Sequence, residues 1–143
     1  LKIVGSISDE IKLYLKNMKF DCEFVPTVPH NEISQYQKDA DILLLVIPNI
    51  KMADGITPGK LFEYIASENP VIALGAENSD VNRILNECEA GKTFQRENKQ
   101  PITDYITELI ELKRNSIDWK INHSKFSKYS RINQAESIKL LLK

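Results

Sequence analysis

Apolar positions along the chain switch between two periods, and the switches divide it into short units. Leu1 to Val4 form a brief apolar run that ends in Gly5-Ser6, which predicts a strand and a turn. Ser8 then stands where a helix N-cap belongs, ahead of Ile11, Tyr14, Leu15 and Met18 at helical spacing. Cys22–Val25 predicts a second strand, Pro26–Pro29 a turn, and Ile33 with Tyr36 the inner face of a second helix. Ile42–Ile47 is apolar without alternation. A continuous run of this kind predicts a strand covered on both faces, as in parallel sheets, and therefore the central strand.

The second half repeats the pattern. After a loop from Pro48 to Ile56, Thr57 is an N-cap candidate and Pro58 fits the first helical position, where its missing N–H costs nothing. That helix carries Leu61, Phe62, Ile65 and Ala66. Pro70–Leu74 predicts a fourth strand, Ser79 caps a helix with Val81, Ile84, Leu85 and Cys88 inward, and Gly91 supplies its stop. A weak fifth strand follows at Thr93-Phe94. From Pro101 onward the pattern is helical, with one stripe at Ile102, Tyr105, Ile106, Leu109 and Ile110 and another at Ile132, Ala135, Ile138 and Leu142. Strands alternating with helices over short connections predict an α/β fold with a parallel, three-layer, right-handed sheet. Ligands of such sheets bind beyond the carboxyl ends of the strands, here the loops after Val4, Val25, Ile47, Leu74 and Phe94.

Composition narrows the classes. The 143 residues leave room for a single domain spanning 1–143; 42% are hydrophobic and 27% charged, so a core can form and disorder is excluded. A net charge of -1 offers no overall basic field for nucleic acid. The charge is unevenly placed: residues 113–143 carry a local +6 and residues 1–112 the balancing -7. The longest apolar run falls far short of the ~20 residues needed to span a bilayer. Cys22 and Cys88 lie in apolar contexts without metal or redox spacing, which predicts reduced core thiols and a cytoplasmic protein. The chain opens inside a strand pattern without an initiator Met, which suggests a piece of something longer.

The stretch Thr57-Pro58-Gly59-Lys60-Leu61-Phe62-Glu63-Tyr64 holds the most chemistry. A helix that starts at the carboxyl side of a strand offers backbone N–H groups and a positive dipole end, which suit a phosphate. Gly59 allows close approach, Lys60 adds a cation, and Glu63, one turn in, can accept from two neighbouring ribose hydroxyls. The plainer reading is a carboxylate complementing the dipole and a solvated lysine.

Several segments in order resemble the donor-binding half of a GT-B fold, family 4 type glycosyltransferase. They are Leu1–Gly5, Phe24–Ile33, Tyr36, Ala40–Leu45, Pro58–Ala66 and Pro70–Ala73, with Gly-Lys-Leu-Phe-Glu-Tyr followed by Pro-Val-Ile-Ala as the most specific part. The resemblance implies a Rossmann-like domain that binds a nucleoside-diphosphate sugar. It further implies retaining transfer of a hexosyl-type group to an acceptor, in polysaccharide or glycolipid synthesis. By position, Glu63 would bind the ribose, the backbone of Gly59, Lys60 and Leu61 would face the diphosphate, and Thr27 and Val28 would border the nucleobase. Family members need no metal in the site, and no metal ligand or cofactor is expected here.

The chain departs from the family in three ways. Gly55 stands where many members carry a second glutamate, with Asp54 one residue away. The family's first strand of this domain, whose following loop and helix supply an Arg and a Lys to the phosphates, has no counterpart in this sequence. Neither has the N-terminal acceptor domain, the expected source of the catalytic base and a partner for transfer, so this polypeptide alone is not expected to complete catalysis. Without the absent strand, closure of the gap predicts a five-stranded sheet of order 2-1-3-4-5.

A flavodoxin-like binding or signalling module shares that strand order, but Ile47-Pro48 occupies the strand tip where a receiver needs an acid, and Gly5-Ser6-Ile7-Ser8 only faintly resembles a flavin phosphate loop. A third reading keeps the family's domain as a scaffold without transfer. His30 reads as a surface or capping histidine and Trp119 as a packing anchor. For residues 113–143 the plain reading is a solvated helical face. The sharper one is peripheral contact with an anionic surface, either the absent domain or acidic lipid at the cytoplasmic face of a membrane, through residues such as Lys125, Lys128 and Arg131.

Overall fold

The computed structural model describes residues 1–18, 21–48 and 55–141. They form two compact units, Leu1–Tyr36 and Gln37–Lys143. In the first, strands β1 (Lys2–Val4) and β2 (Glu23–Val25) pair in parallel with Ile3 opposite Phe24, and helix α1 (Asp9–Lys16) connects them. Ser8 caps α1 by accepting from the Ile11 N–H at 3.4 Å, as its position predicts. The stripe expected to face inward does not do so: Ile11, Tyr14 and Met18 are exposed and α1 has no buried residue. A two-stranded sheet presents too little apolar area to cover a helix face. Helix α2 (His30–Lys38) closes the unit, and its last two residues belong to the second.

The second unit contains strands β3 (Leu43–Val46), β4 (Val71–Leu74) and β5 (Gly91–Phe94), all parallel. Helix α3 (Gly59–Ala66) joins β3 to β4, and α4 (Asp80–Glu87) joins β4 to β5. One face of the sheet, with Leu43, Leu45, Val71 and Ala73, shares a core with Leu61 and Ile65 of α3, Val81, Ile84 and Leu85 of α4, and Cys88. On the other face Ile72 and Phe94 pack with Tyr105 and Leu109 of helix α5 (Lys99–Arg114). Trp119 packs against both clusters, as an anchor should. Cys88 is buried, Cys22 half-buried, and both thiols are free.

The sheet departs from the expected one. The α/β class and the parallel sense hold, with β2-β1 in one sheet and β3-β4-β5 in another; a ladder joining β1 to β3 is absent among the described residues. β4, flanked on both sides, is the central strand, and β3 is an edge. The backbone explains this. Leu43 and Ile47 donate to Pro70 and Leu74, so the intervening Leu44 and Val46 turn their peptide groups to the other edge of β3, which carries no ladder among the described residues. Their side chains are 47% and 52% exposed, so the apolar run is covered on one face only. An apolar run reports the composition of a strand. It does not count the strand's neighbours.

Two helix ends also differ. α4 stops at Glu89, which takes the left-handed conformation at φ 53° while the Ala90 N–H returns to Leu85 O at 2.9 Å. Gly91, expected to end that helix, instead begins β5. The C-terminal segment is not continuously helical, because 117–122 is irregular between α5 and the short helix α6 (His123–Phe126). Part of the basic tail docks on α4: Asn122 N–H donates to Cys88 O at 2.7 Å, and Lys128 and the Tyr129 hydroxyl both bind the Glu87 carboxylate. Those two contacts, Lys128 first, hold the Glu87 carboxyl below its usual range. Helix α7 (Arg131–Leu141) beyond them has no buried residue, so the stripe at Ile132 and Ile138 is exposed; Leu142 lies outside the described residues. No helix among the described residues is long and apolar enough to cross a membrane.

Tyr105 supplies a prediction. Its ring lies 5.6 Å from that of Phe94 and 4.2 Å from Lys92 Nζ, but its buried hydroxyl has no hydrogen-bond partner among the described residues. Burial, with a contribution from the charge of Glu108, pushes its pKa up to about 12. An unfolded tyrosine ionises near ~10. The folded state therefore holds this proton more tightly, and its contribution to stability is complete below pH ~10 and lost as pH rises toward ~12. Tyr105→Phe should melt at the same or a higher temperature at neutral pH and lose less stability across that alkaline window. Thermal unfolding of both proteins from neutral pH upward reads this directly; a steeper alkaline loss in the variant would contradict it.

Candidate functional site

The carboxyl end of β3 leads toward α3, which has a short, strongly sided sequence, Gly-Lys-Leu-Phe-Glu-Tyr-Ile-Ala. Leu61 and Ile65, four apart, are fully buried and lock the helix against the sheet. Lys60 and Glu63, three apart, lie together on the exposed face. The entry differs by one position from the sequence expectation. Pro58, not Thr57, is the N-cap residue and Gly59 is the first helical residue. Proline has no side chain that can bond the first-turn N–H groups, and none does so at this cap. At the equivalent end of α4, Ser79 Oγ accepts from the Asn82 N–H at 3.3 Å. Of these two helix starts beyond the sheet's carboxyl ends, α3 lacks the side-chain cap that α4 has.

Gly59 has the space its proposed role needs, since a Cβ built there meets nothing within 4 Å. The Leu61 N–H already donates to Pro58 O at 3.0 Å, whereas the N–H groups of Gly59 and Lys60 make no such turn bond among the described residues. Glu63 is exposed, and its Oε2 accepts from Gln37 Nε2 at 3.3 Å. Gln37 is buried, and its carbonyl accepts from Asn69 Nδ2 at 2.9 Å, so the end of α2 is fastened to the turn before β4. A buried amide thus orients one carboxylate oxygen. Burial, and to a lesser degree Glu63's charge, raises the pKa of the adjacent Tyr64 phenol.

Sequence reasoning missed two residues. Gln37 sits on a helix whose pattern points only to Ile33 and Tyr36, and no local signal marks it, because its partner is 26 positions away. Arg96 follows β5 in one of the loops singled out by the strand-end rule, and its guanidinium donates to the carbonyl of Ile47 at the end of β3. A cation therefore stands at the carboxyl edge of the sheet. The loop rule could have found it.

Thr27 and Val28 belong to the first unit, in the turn after β2. Thr27 is exposed, with its hydroxyl 3.1 Å from that of Ser6, and Val28 is half-buried. Gly55 is exposed, while Asp54 lies outside the described residues. No cluster of three or more His, Cys, Asp or Glu that could hold a metal occurs among the described residues. Comparison with protein-family models, with curated proteins and with solved structures finds no match to the chain.

Proposed function

We propose that this chain is the nucleotide-sugar-binding part of a retaining glycosyltransferase, with α3 as the donor site. The observation that carries the reading is α3 itself. It starts beyond the carboxyl end of a parallel strand without a side-chain cap and displays Lys60 and an oriented Glu63 on one exposed face. The dipole end and the cation match a diphosphate, and a carboxylate one turn away matches the vicinal hydroxyls of a ribose. Gly59 and Lys60 contribute the N–H groups, while Leu61 acts through its buried side chain. By the family resemblance alone, Thr27 and Val28 of the Leu1–Tyr36 unit would border the base. Transfer of the hexosyl-type group to an acceptor, in polysaccharide or glycolipid synthesis, is completed by an acceptor domain that supplies the base. In this reading the five strands take the order 2-1-3-4-5 where the gap left by the family's absent strand closes.

Titration with UDP, GDP, ADP, CMP and FMN, followed by thermal shift and NMR, tests this. A nucleoside diphosphate should stabilise the chain by about 2.7 kcal/mol at a hundredfold excess over Kd. Glu63→Ala should abolish that response with little change in the unliganded melting temperature. A response to FMN alone would favour the flavodoxin-like module, and a nucleotide response unchanged in Glu63→Ala would remove α3 from the site.

A further inference from the structure

The segment that follows α5 touches the proposed donor helix. Ile121 is buried in the core shared with Leu61 and Ile65, and Phe126 and Tyr129 pack against the same cluster. Tyr129 ends the 3₁₀ turn Ser127–Tyr129, and its ring lies 5.5 Å from that of Phe62, which stands beside Glu63 on α3. Its hydroxyl donates to Glu87 Oε2 at 2.8 Å, on the last residue of α4, and Lys128 binds the other oxygen of that carboxylate. One half-buried side chain therefore joins α3 to α4.

The place of Phe62 on the helix gives that contact leverage. Leu61 and Ile65, four apart, lie on one line along α3 and seat it on the sheet. Two side chains on one line resist sliding but leave the helix free to roll about its axis. Phe62 stands ~100° around the helix from Leu61, so a grip on its ring opposes the roll. Gln37 restrains the helix from another side, through its 3.3 Å bond to Glu63. A roll of about 20° would move an atom ~6 Å from the axis by ~2 Å, enough to break a hydrogen bond to a ligand.

We propose that Tyr129 is the positioning residue of α3: by gripping Phe62 it sets the roll of the helix, and so the direction in which Lys60 and Glu63 face a nucleoside diphosphate. The inference rests on α3 as the donor site. It makes the C-terminal segment a regulator of that site, since lifting residues 122–129 off Glu87 releases the ring.

The test uses the full chain, ¹⁵N-labelled, as wild type, Phe62→Leu, Tyr129→Leu, Tyr129→Phe and the double Leu variant. Backbone hydrogen exchange and titration with UDP, GDP and ADP are the two readouts. Tyr129→Leu should speed exchange of the α3 amides about two- to tenfold, the worth of one aromatic pair, while the α5 amides keep their rates. Affinity for the diphosphate that the wild type binds best should fall by a similar factor. Tyr129→Phe, which keeps the ring, should lie closer to the wild type than Tyr129→Leu does in both readouts. The double variant should be no worse than the worse single one, because both substitutions cut the same contact. Additive effects, equal acceleration in α3 and α5, or a Tyr129→Phe protein as loose as Tyr129→Leu overturns the proposal. So does unchanged nucleotide affinity alongside faster α3 exchange. A wild type that binds none of the three diphosphates overturns the donor site and this role in it, whereas unchanged α3 exchange in Tyr129→Leu overturns the Tyr129 link alone.

Discussion

Gly91→Ala is expected to be the most damaging single substitution in the Gln37–Lys143 unit. Gly91 has φ +150°, a region that L-residues rarely adopt, and a Cβ placed there would lie 1.9 Å from the carbonyl oxygen of Val71. That oxygen cannot retreat cheaply, because β4 is paired on both sides and the Val71 N–H is bonded to Ala90 O at 2.9 Å. Backbone strain and overpacking each cost roughly 1–3 kcal/mol, so a combined loss of about 2–6 kcal/mol is expected. Domains of this size have only about 5–15 kcal/mol in total. Urea unfolding should show the midpoint moving far down or the folded baseline vanishing. Gly59→Ala is the control: its Cβ meets open space, and stability should change by less than about 1 kcal/mol. A Gly91→Ala protein as stable as the Gly59→Ala protein would mean that the β4–β5 approach is looser than described.

Leu61→Ala should rank next. Its side chain is fully buried between α3 and the sheet, and removing it leaves a cavity with a cost of about 2–5 kcal/mol. The same substitution at Leu44, half exposed on the open edge of β3, should cost well under that, so the pair reads the asymmetry of the sheet. Leu61→Ala also tests the link between core and site. Leu61 seats the helix that carries Lys60 and Glu63, so the nucleotide response should weaken together with the melting temperature. In Glu63→Ala the response should fall while stability stays within about 1 kcal/mol, the cost of leaving Gln37 Nε2 without its carboxylate partner. Equal stability of Leu61→Ala and Leu44→Ala would contradict the core assignment.

Local chemistry was legible along the chain. Ser8 and Ser79 cap the helices they precede, and Val81, Ile84, Leu85 and Cys88 face inward as their spacing predicts. These outcomes depend on a few neighbouring residues whose backbone geometry repeats. The cap of α3 falls one residue later than Thr57 because Pro58 is compatible with both positions, and only the observed ψ of 139° separates them. The end of α4 departs from its sequence signal: a nearby glycine is the usual stop, whereas here Glu89 bears the left-handed turn and Gly91 serves a contact with a strand 20 positions earlier. The site was half legible. Gly59, Lys60 and Glu63 are adjacent in sequence, but Gln37 reaches Glu63 only through the packing of the fold.

Composition and periodicity by themselves determined the α/β class, the strands and most of the buried faces of α3, α4 and α5, because each depends on residues within one or two turns of one another. Only the tertiary structure decided that β4 and not β3 is flanked on both sides among the described residues, and that the strands form two sheets. Those features depend on which edges and faces find partners across long separations. An apolar run such as Ile42–Ile47 is equally compatible with a strand covered on both faces and with one left open on a side.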